Sequence, residues 1–225
     1  MEIAGVAPDK INLFGLQVNE TVVVAWCVTL GILIFSLIVR FYFYPRFKPV
    51  PTGIQLFLEF IVSMVIRFSR SVVGDVGYKI APYMLTLAMV LVISGLTDLA
   101  GLRIPATDLN FTISIALITF VLIFIFGIKH KGVGGLVKSY AHPVAFIAPF
   151  RVISDLIIPV SLSFRLFGNM FAGLMILDLV YSALGSFAIG IPAALNLYFT
   201  LFDVAMQTFV FMMLTLSYIK EKVEE

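Results

Sequence analysis

Long apolar stretches alternate with short polar ones along this chain, and most of them are long enough to cross a bilayer. Apolar runs cover residues 21–39, 80–96 and 111–128, and two longer ones cover 143–188 and 193–219. About 20 residues of helix, rising ~1.5 Å each, cross the hydrocarbon core of a membrane. The pattern therefore predicts five membrane-spanning helices.

The stretch 52–73 has a different pattern. Apolar residues recur there at helical spacing, but Gln55, Glu59, Arg67 and Arg70 interrupt them. This mixture predicts an amphipathic helix that lies on the membrane interface or enters it obliquely.

The run 143–188 is too long to stand upright in a membrane core of roughly 30 Å. It must tilt strongly, break or extend beyond the core. Gly190, Ile191 and Pro192 predict a turn after it. We therefore expect a long tilted helical hairpin over residues 143–221.

These segments predict one all-α polytopic membrane domain, residues 1–225, with about five transmembrane helices plus one amphipathic interfacial helix. Its expected parts are an outer N-terminal segment (1–20), helix 1 (21–43), the amphipathic helix (52–73), a helical hairpin (78–128) and the long tilted hairpin (143–221). Composition agrees, since 61% of residues are hydrophobic and 12% charged, against about 25% charged in soluble domains.

Basic residues set the expected orientation. They cluster after three of the predicted spans, as Arg40/Arg46/Lys48, Lys129/Lys131/Lys138 and Lys220/Lys222. Cytoplasmic loops carry such an excess, so the N-terminus is expected outside and the C-terminus in the cytoplasm. Residues 1–20 have no basic n-region before a short apolar stretch, which argues against a cleaved signal peptide. With no basic stripe, nucleic acid is not an expected partner.

Arg165 carries the main functional signal, because it lies near the middle of a long apolar helix. An arginine at such a depth costs at least ~2.5–3.5 kcal/mol and is a functional candidate by default. Ser161 and Asn169 flank it at i−4 and i+4, on one helix face. A guanidinium does not deprotonate in proteins, so this face has a fixed positive charge.

The last predicted helix supplies further candidates for an ion path. Asp203 and Gln207 are spaced i, i+4, and Thr200 and Asn196 extend the polar line toward the outer end. Asp178 and Asp155, on the Arg165 helix, could each line an ion path or be solvated charges at the interface.

Other chemistry has little support in the sequence. Gly132, Gly134 and Gly135 predict a loop after the third span, and His130 and His142 are expected to be solvated loop residues. A single cysteine, Cys27, excludes an internal disulfide and a multi-cysteine metal site. No phosphate-binding loop, nucleophile elbow or metal-ligand spacing occurs. We therefore expect no cofactor, no metal and no enzymatic active site.

Three segments resemble subunit a, the stator ion-channel subunit of F-type ATP synthases. They are residues 159–173 (PVSLSFRLFGNMFAG), residues 207–215 (QTFVFMMLT) and, more weakly, residues 108–112 (DLNFT). The likeness covers roughly residues 80–220 in matching order and spacing, and the arginine-centred segment is highly specific.

The resemblance implies a role and partners. Arg165 matches the family's essential arginine, and Asn169 and Gln207 match its polar partners. The long hairpin is expected to pack on a ring of c subunits in a bacterial cell membrane, with the b-subunit peripheral stalk as a further partner. Two half-channels would serve a carboxylate on each c subunit, and the arginine would separate them, so that ion flux requires ring rotation and drives ATP synthesis.

This chain departs from the family pattern at three positions. Many members have an acid nine residues after the arginine, His or Glu seven before the glutamine, and Glu fourteen before the arginine; here Leu174, Thr200 and Arg151 stand there. Asp178, Asp203 and Asp155 each follow three or four residues later on nearly the same face. We hypothesise that the outer path uses Asp178 and Asp203 instead.

Three alternatives remain at this point. The transported ion is expected to be the proton, but sodium versions of the machine exist. A secondary transporter would usually show internal repeats, and none is evident. A non-conducting scaffold would explain the helix packing but not a central arginine near membrane carboxylates.

Overall fold

Six helices form nearly all of the part of the chain described by the computed structural model, which covers residues 10–13, 16–51, 53–141, 148–184 and 190–224. They are α1 (Glu20–Ile38), α2 (Ile54–Val73), α3 (Val76–Leu96), α4 (Leu109–Ala141), α5 (Ala148–Leu184) and α6 (Ile191–Glu224). In this described part, all but α2 belong to segments long and apolar enough to cross a membrane. The prediction of an all-α polytopic membrane protein is confirmed.

A short β-hairpin precedes α1 and was not predicted. Strands β1 (Lys10–Leu13) and β2 (Leu16–Asn19) pair antiparallel, with Lys10 opposite Asn19. Helix α1 follows β2 directly and continues through a π-helical turn, Val39–Phe43, and a 3-10 turn, Tyr44–Arg46.

Helix α2 is the predicted amphipathic helix, and it packs against the bundle along one side. Its buried residues are Val65, Ser69 and Val73. It ends at Gly74, whose φ of 64° suits glycine and turns the chain into α3. A Cβ at Gly77 would lie 2.5 Å from the Ser69 backbone, so the two helices approach closely there.

Helices α3 to α6 enclose the main core. Its fully buried apolar side chains come from all four helices and include Ile80, Met84, Ala116, Ile123, Leu162, Leu166, Phe211, Leu216 and Ile219. Where α3 meets α6, a Cβ at Gly95 would overlap the side chain of Val204. The missing side chain at Gly95 therefore allows the contact between these helices.

The end of the bundle where α1 begins is tied by polar contacts, and we call it the Glu20 end. Thr21 Oγ1 donates a hydrogen bond to Asp108 Oδ2 at 2.9 Å, and Arg103 Nε lies 3.9 Å from Glu20 Oε2. We call the opposite end, where α6 finishes, the Lys222 end.

Two long helices differ from the sequence expectation. The loop expected from Gly132 to Gly135 is reduced to a kink, because Gly132 alone leaves the helical conformation (φ 72°, ψ 164°) and α4 continues to Ala141. Helix α5 runs unbroken through Pro159, so the alternative of a break is wrong for residues 148–184. Residues 143–147 and 185–189 of the expected hairpin, and His142, lie outside the described residues.

Candidate functional site

A polar row along α6 forms one side of the candidate site. Asn196, Thr200, Asp203 and Gln207 follow each other at intervals of four, three and four residues, which places them on one helix face. At ~1.5 Å per residue the row spans roughly 16 Å. It starts near the Glu20 end and reaches the middle of the helix.

Asn196, Thr200 and Asp203 of this row line a cavity between α5, α6 and the end of α3, together with apolar side chains such as Leu177 and Phe199. The cavity measures about 260 Å³. Helix α5 contributes Gly173 and Asp178, and α6 contributes Asn196, Thr200 and Asp203. The fold thus brings together four of the residues proposed from sequence.

Asp98 also lines this cavity, and sequence reasoning missed it. It lies in the 3-10 turn Thr97–Ala100 directly after α3, and Thr200 Oγ1 donates to its Oδ2 at 2.7 Å. From hydropathy and the placement of basic residues, the sequence predicts that Asp98 lies in an outer loop, residues 98–108. A signal was present, since Asp98 follows Gly95 by three residues and continues the face that packs on α6.

The cavity is acidic. Asp98, Asp178 and Asp203 line it together with Asn196 and Tyr181, and its described lining includes no lysine, arginine or histidine. A narrow cleft lined by one sign of charge with low-dielectric walls concentrates counter-ions. The cavity is therefore suited to cations and unfavourable to anions.

Arg165 lies outside the cavity, on the surface of α5 and close to its midpoint. It is roughly 26 Å and 28 Å along the axis from the two helix ends. Its side chain is exposed, as are Phe164 directly before it and Asn169 one turn after it. No carboxylate of the described residues forms a salt bridge with it. Because a charge facing lipid at this depth is costly, this face requires a covering partner.

Asn169 and Gln207 join α5 to α6 beside the arginine. Asn169 Nδ2 donates to Gln207 Oε1 at 2.7 Å. Gln207 is 3% exposed, and its Nε2 has no acceptor among the described residues. A buried donor without an acceptor costs about 1–3 kcal/mol, so this amide is unfavourable for the packing of α5 on α6. Ser161 lies half-buried one turn before Arg165.

The acidic cavity and the surface around Arg165 are connected through α6. Gln207 follows Asp203 by one helical turn, so the polar face continues from the cavity to the amide pair. A Cβ at Gly173 would lie 3.5 Å from Asp203 Oδ2. This is an ordinary van der Waals distance, so the Asp203 carboxylate lies against α5 at this position.

Asp155 lies away from both the acidic cavity and the surface around Arg165. It lies at the Lys222 end, where Lys222 Nζ donates to its Oδ2 at 2.8 Å. Both side chains are 9% exposed, and Lys222 Nζ lies 5.9 Å from the centre of the Phe124 ring. In this geometry the Asp155 carboxylate joins the cytoplasmic ends predicted for α5 and α6.

Removing the lysine of this pair should destabilise the protein. Lys222→Met leaves Asp155 as a buried charge without that partner, which costs about 3–5 kcal/mol when a buried pair is broken. We expect a lower apparent unfolding temperature for the purified protein in detergent. The double variant Asp155→Leu, Lys222→Met should recover most of the loss. A double variant no more stable than Lys222→Met would argue against the ion pair as the cause.

Comparison with known proteins identifies a matching family. Residues 22–220 match the family described as the ATP synthase A chain. A chloroplastic ATP synthase subunit a from Oedogonium cardiacum is 33% identical, over 92% of this chain and 83% of the relative. A sodium ion specific ATP synthase subunit a from Propionigenium modestum is 32% identical, over 93% and 75%. An ATP synthase subunit a from Moorella thermoacetica is 32% identical, over 95% of both chains.

Proposed function

This chain belongs to the ATP synthase A chain family, subunit a of F-type ATP synthases, and on that basis we propose that its acidic cavity and Arg165 form the ion path. Membership makes it a multi-pass membrane-sector subunit that takes part in ion translocation together with other subunits of the complex. Our proposal concerns which residues guide the ion, which ion it is and which partners they meet.

We assign the acidic cavity to the outer half-channel. Asp178, Asn196, Thr200 and Asp203 line it at the Glu20 end, and its lining is suited to cations. Ions would enter from the outer side, move along the polar row of α6 and reach a carboxylate on a ring of c subunits.

Arg165 is assigned as the barrier between the two half-channels. The observation that carries this assignment is a permanently charged side chain exposed at the middle of the long apolar helix α5. A ring carboxylate passing at ~4 Å would gain about 4 kcal/mol at an effective dielectric constant near 20. That attraction keeps the carboxylate ionised beside Arg165, yet is weak enough to release it as the ring turns.

Asn169, Gln207 and Ser161 are assigned to the same surface. The Asn169–Gln207 hydrogen bond fixes two amides next to Arg165, and the exposed Asn169 is the one that an incoming carboxylate can approach. For Asp155 we propose a structural role, since it is held by Lys222.

We propose the proton as the transported ion. A carboxylate takes up a proton without any further ligand, whereas a metal cation such as sodium needs several oxygen ligands around it. The second candidate is sodium, because one relative is described as sodium ion specific.

Further proposals concern placement and partners. We infer that the Lys222 end faces the cytoplasm, because Arg40, Lys129 and Lys220 all follow spans that run toward it. The membrane would be a bacterial cell membrane. The Arg165 face would cover the c-subunit ring, the b-subunit peripheral stalk would bind elsewhere on the bundle, and the chain itself would have no catalytic site.

Ion flux through reconstituted liposomes tests this function. Liposomes that hold this chain with its c-ring are placed under an imposed potential that drives cations inward. Their interior should acidify, which a pH-sensitive dye would report, and a sodium-sensitive dye should show no response. Liposomes holding the ring alone are the control and should stay silent. A sodium response would replace the proton assignment and keep the path. Equal signals with and without this chain would contradict the path itself.

A further inference from the structure

A row of three polar side chains crosses from the end of α3 to α6 inside the acidic cavity. Thr200 Oγ1 lies 2.7 Å from Asp98 Oδ2 and 3.0 Å from Asn196 Oδ1. Thr200 is 6% exposed and Asp98 is half-buried. Their geometry is set by the close contact of α3 and α6 at Gly95 and Val204.

The row accommodates two positions of a proton. A threonine hydroxyl has one hydrogen to donate and two lone pairs that accept. When Asp98 is ionised, the Thr200 hydrogen points to Asp98. When Asp98 carries a proton, it can donate to Thr200, whose hydrogen then points to Asn196 Oδ1. Asp98 can therefore gain and lose a proton without any movement of heavy atoms.

The surroundings of Asp98 favour exchange of this proton with the ion path. Asp178 and Tyr181 face the cavity from α5, and Asp203, Asn196 and Thr200 face it from α6. No cationic side chain of the described lining holds Asp98 in a permanent ion pair. By contrast, Asp155 is fixed by Lys222.

We propose that Asp98 is a proton-carrying residue of the outer half-channel and that Thr200 positions it. A hydronium ion in the cavity protonates the Asp98 carboxylate and leaves as water. The acid then returns the proton to a water molecule on the side of Asp203, which regenerates the carboxylate. This inference rests on the proposed function of the cavity. It places an acid from the turn after α3 next to Thr200.

The Asp98→Asn variant tests the proposal in the reconstituted complex. Asparagine keeps an oxygen that can accept from Thr200 but cannot carry a proton, so proton flux should fall at least tenfold. The loss should be largest at high outer pH, where protons are scarce, and smaller at low outer pH. Asp98→Glu should restore a large part of the flux.

Asp108→Asn is the matched control. Asp108 also accepts a threonine hydrogen bond at the Glu20 end, from Thr21 at 2.9 Å, but it does not line the acidic cavity. If Asp98 only ties two helices together, both asparagine variants should keep native flux or lose it alike, and either result would overturn the proposal. We expect Asp108→Asn to keep near-native flux and a native pH profile.

Two further measurements separate this proposal from the function on which it rests. If Asp203→Asn loses flux while Asp98→Asn keeps native flux and pH dependence, Asp98 is excluded and the half-channel stands. If both keep native flux, the half-channel assignment fails as well.

If Asp98→Asn fails to assemble with the ring, Thr200→Val is the alternative test. This variant leaves the Asp98 carboxylate in place and removes the hydroxyl that positions it. It should shift the outer pH of half-maximal flux, and an unchanged profile would exclude the role of Thr200.

Discussion

Replacing Arg165 with alanine should abolish ATP synthesis driven by ion flux, a loss of roughly a hundredfold or more. The reason is the ~4 kcal/mol of attraction between a guanidinium and a carboxylate at 4 Å, which corresponds to nearly three powers of ten in an equilibrium. Without it, a ring carboxylate could pass this face while still protonated. Flux through Arg165→Ala should then be absent or continue as a leak without rotation.

The measurement is ATP synthesis together with passive ion flux in liposomes that hold the complete complex. Arg165→Lys should also be severely impaired, because an ammonium in an apolar site can lose its proton and a guanidinium does not. Arg67→Ala is a suitable control, since Arg67 is exposed on α2 and bonds to Ser63 in its own helix. Equal, coupled activity in Arg165→Ala and Arg67→Ala would leave the central arginine a structural role.

Asp203→Asn should reduce ion-driven ATP synthesis by at least about tenfold, with assembly intact. Loss of a positioned proton-transfer group typically costs 10²–10⁴ in rate, and neighbouring carboxylates in the cavity would recover part of it. Asparagine matches aspartate in shape, so the close approach of Asp203 to Gly173 should persist. Asp178→Asn should act in the same direction.

Synthesis rates at an imposed ion gradient, normalised to complex that co-purifies with the ring, would measure this effect. Asp75→Asn provides the comparison, because Asp75 is an exposed acid next to Arg70, at the start of α3. Near-normal rates in both the Asp203 and the Asp178 variants would refute the hypothesis that these two acids replace the titratable groups of the family pattern that are missing at Leu174 and Thr200.

The sequence predicted the helices well because the membrane imposes length and apolarity on each span. It also placed Asn196, Thr200, Asp203 and Gln207 on one face, since spacing along a single helix decides that. The β-hairpin before α1 was not predicted, and the loop expected after residue 131 is a kink at Gly132. Both depend on local backbone geometry for which hydropathy gives no signal.

Contacts between helices were beyond the sequence argument. Asp155 and Asp178 lie on the same helix, yet the first meets Lys222 and the second meets the acidic cavity. Asp98 was expected in a loop, but it contacts Thr200 of α6. The two residues are 102 positions apart in the chain, so local spacing does not indicate this contact. The helices that supply these partners are identified only by packing, which periodicity does not encode.

The contact between Gly95 and Val204 restricts which side chains can evolve at these two positions. Asp98 follows Gly95 by three residues and Thr200 precedes Val204 by four, so the same close approach sets the Asp98–Thr200 distance. A descendant that gains a methyl group at position 95 must lose volume at position 204 or separate the two polar side chains. Across the family, a larger side chain at position 95 should therefore accompany a smaller one at position 204. The combined side-chain volume at these two positions should vary least in family members that have an acid at position 98.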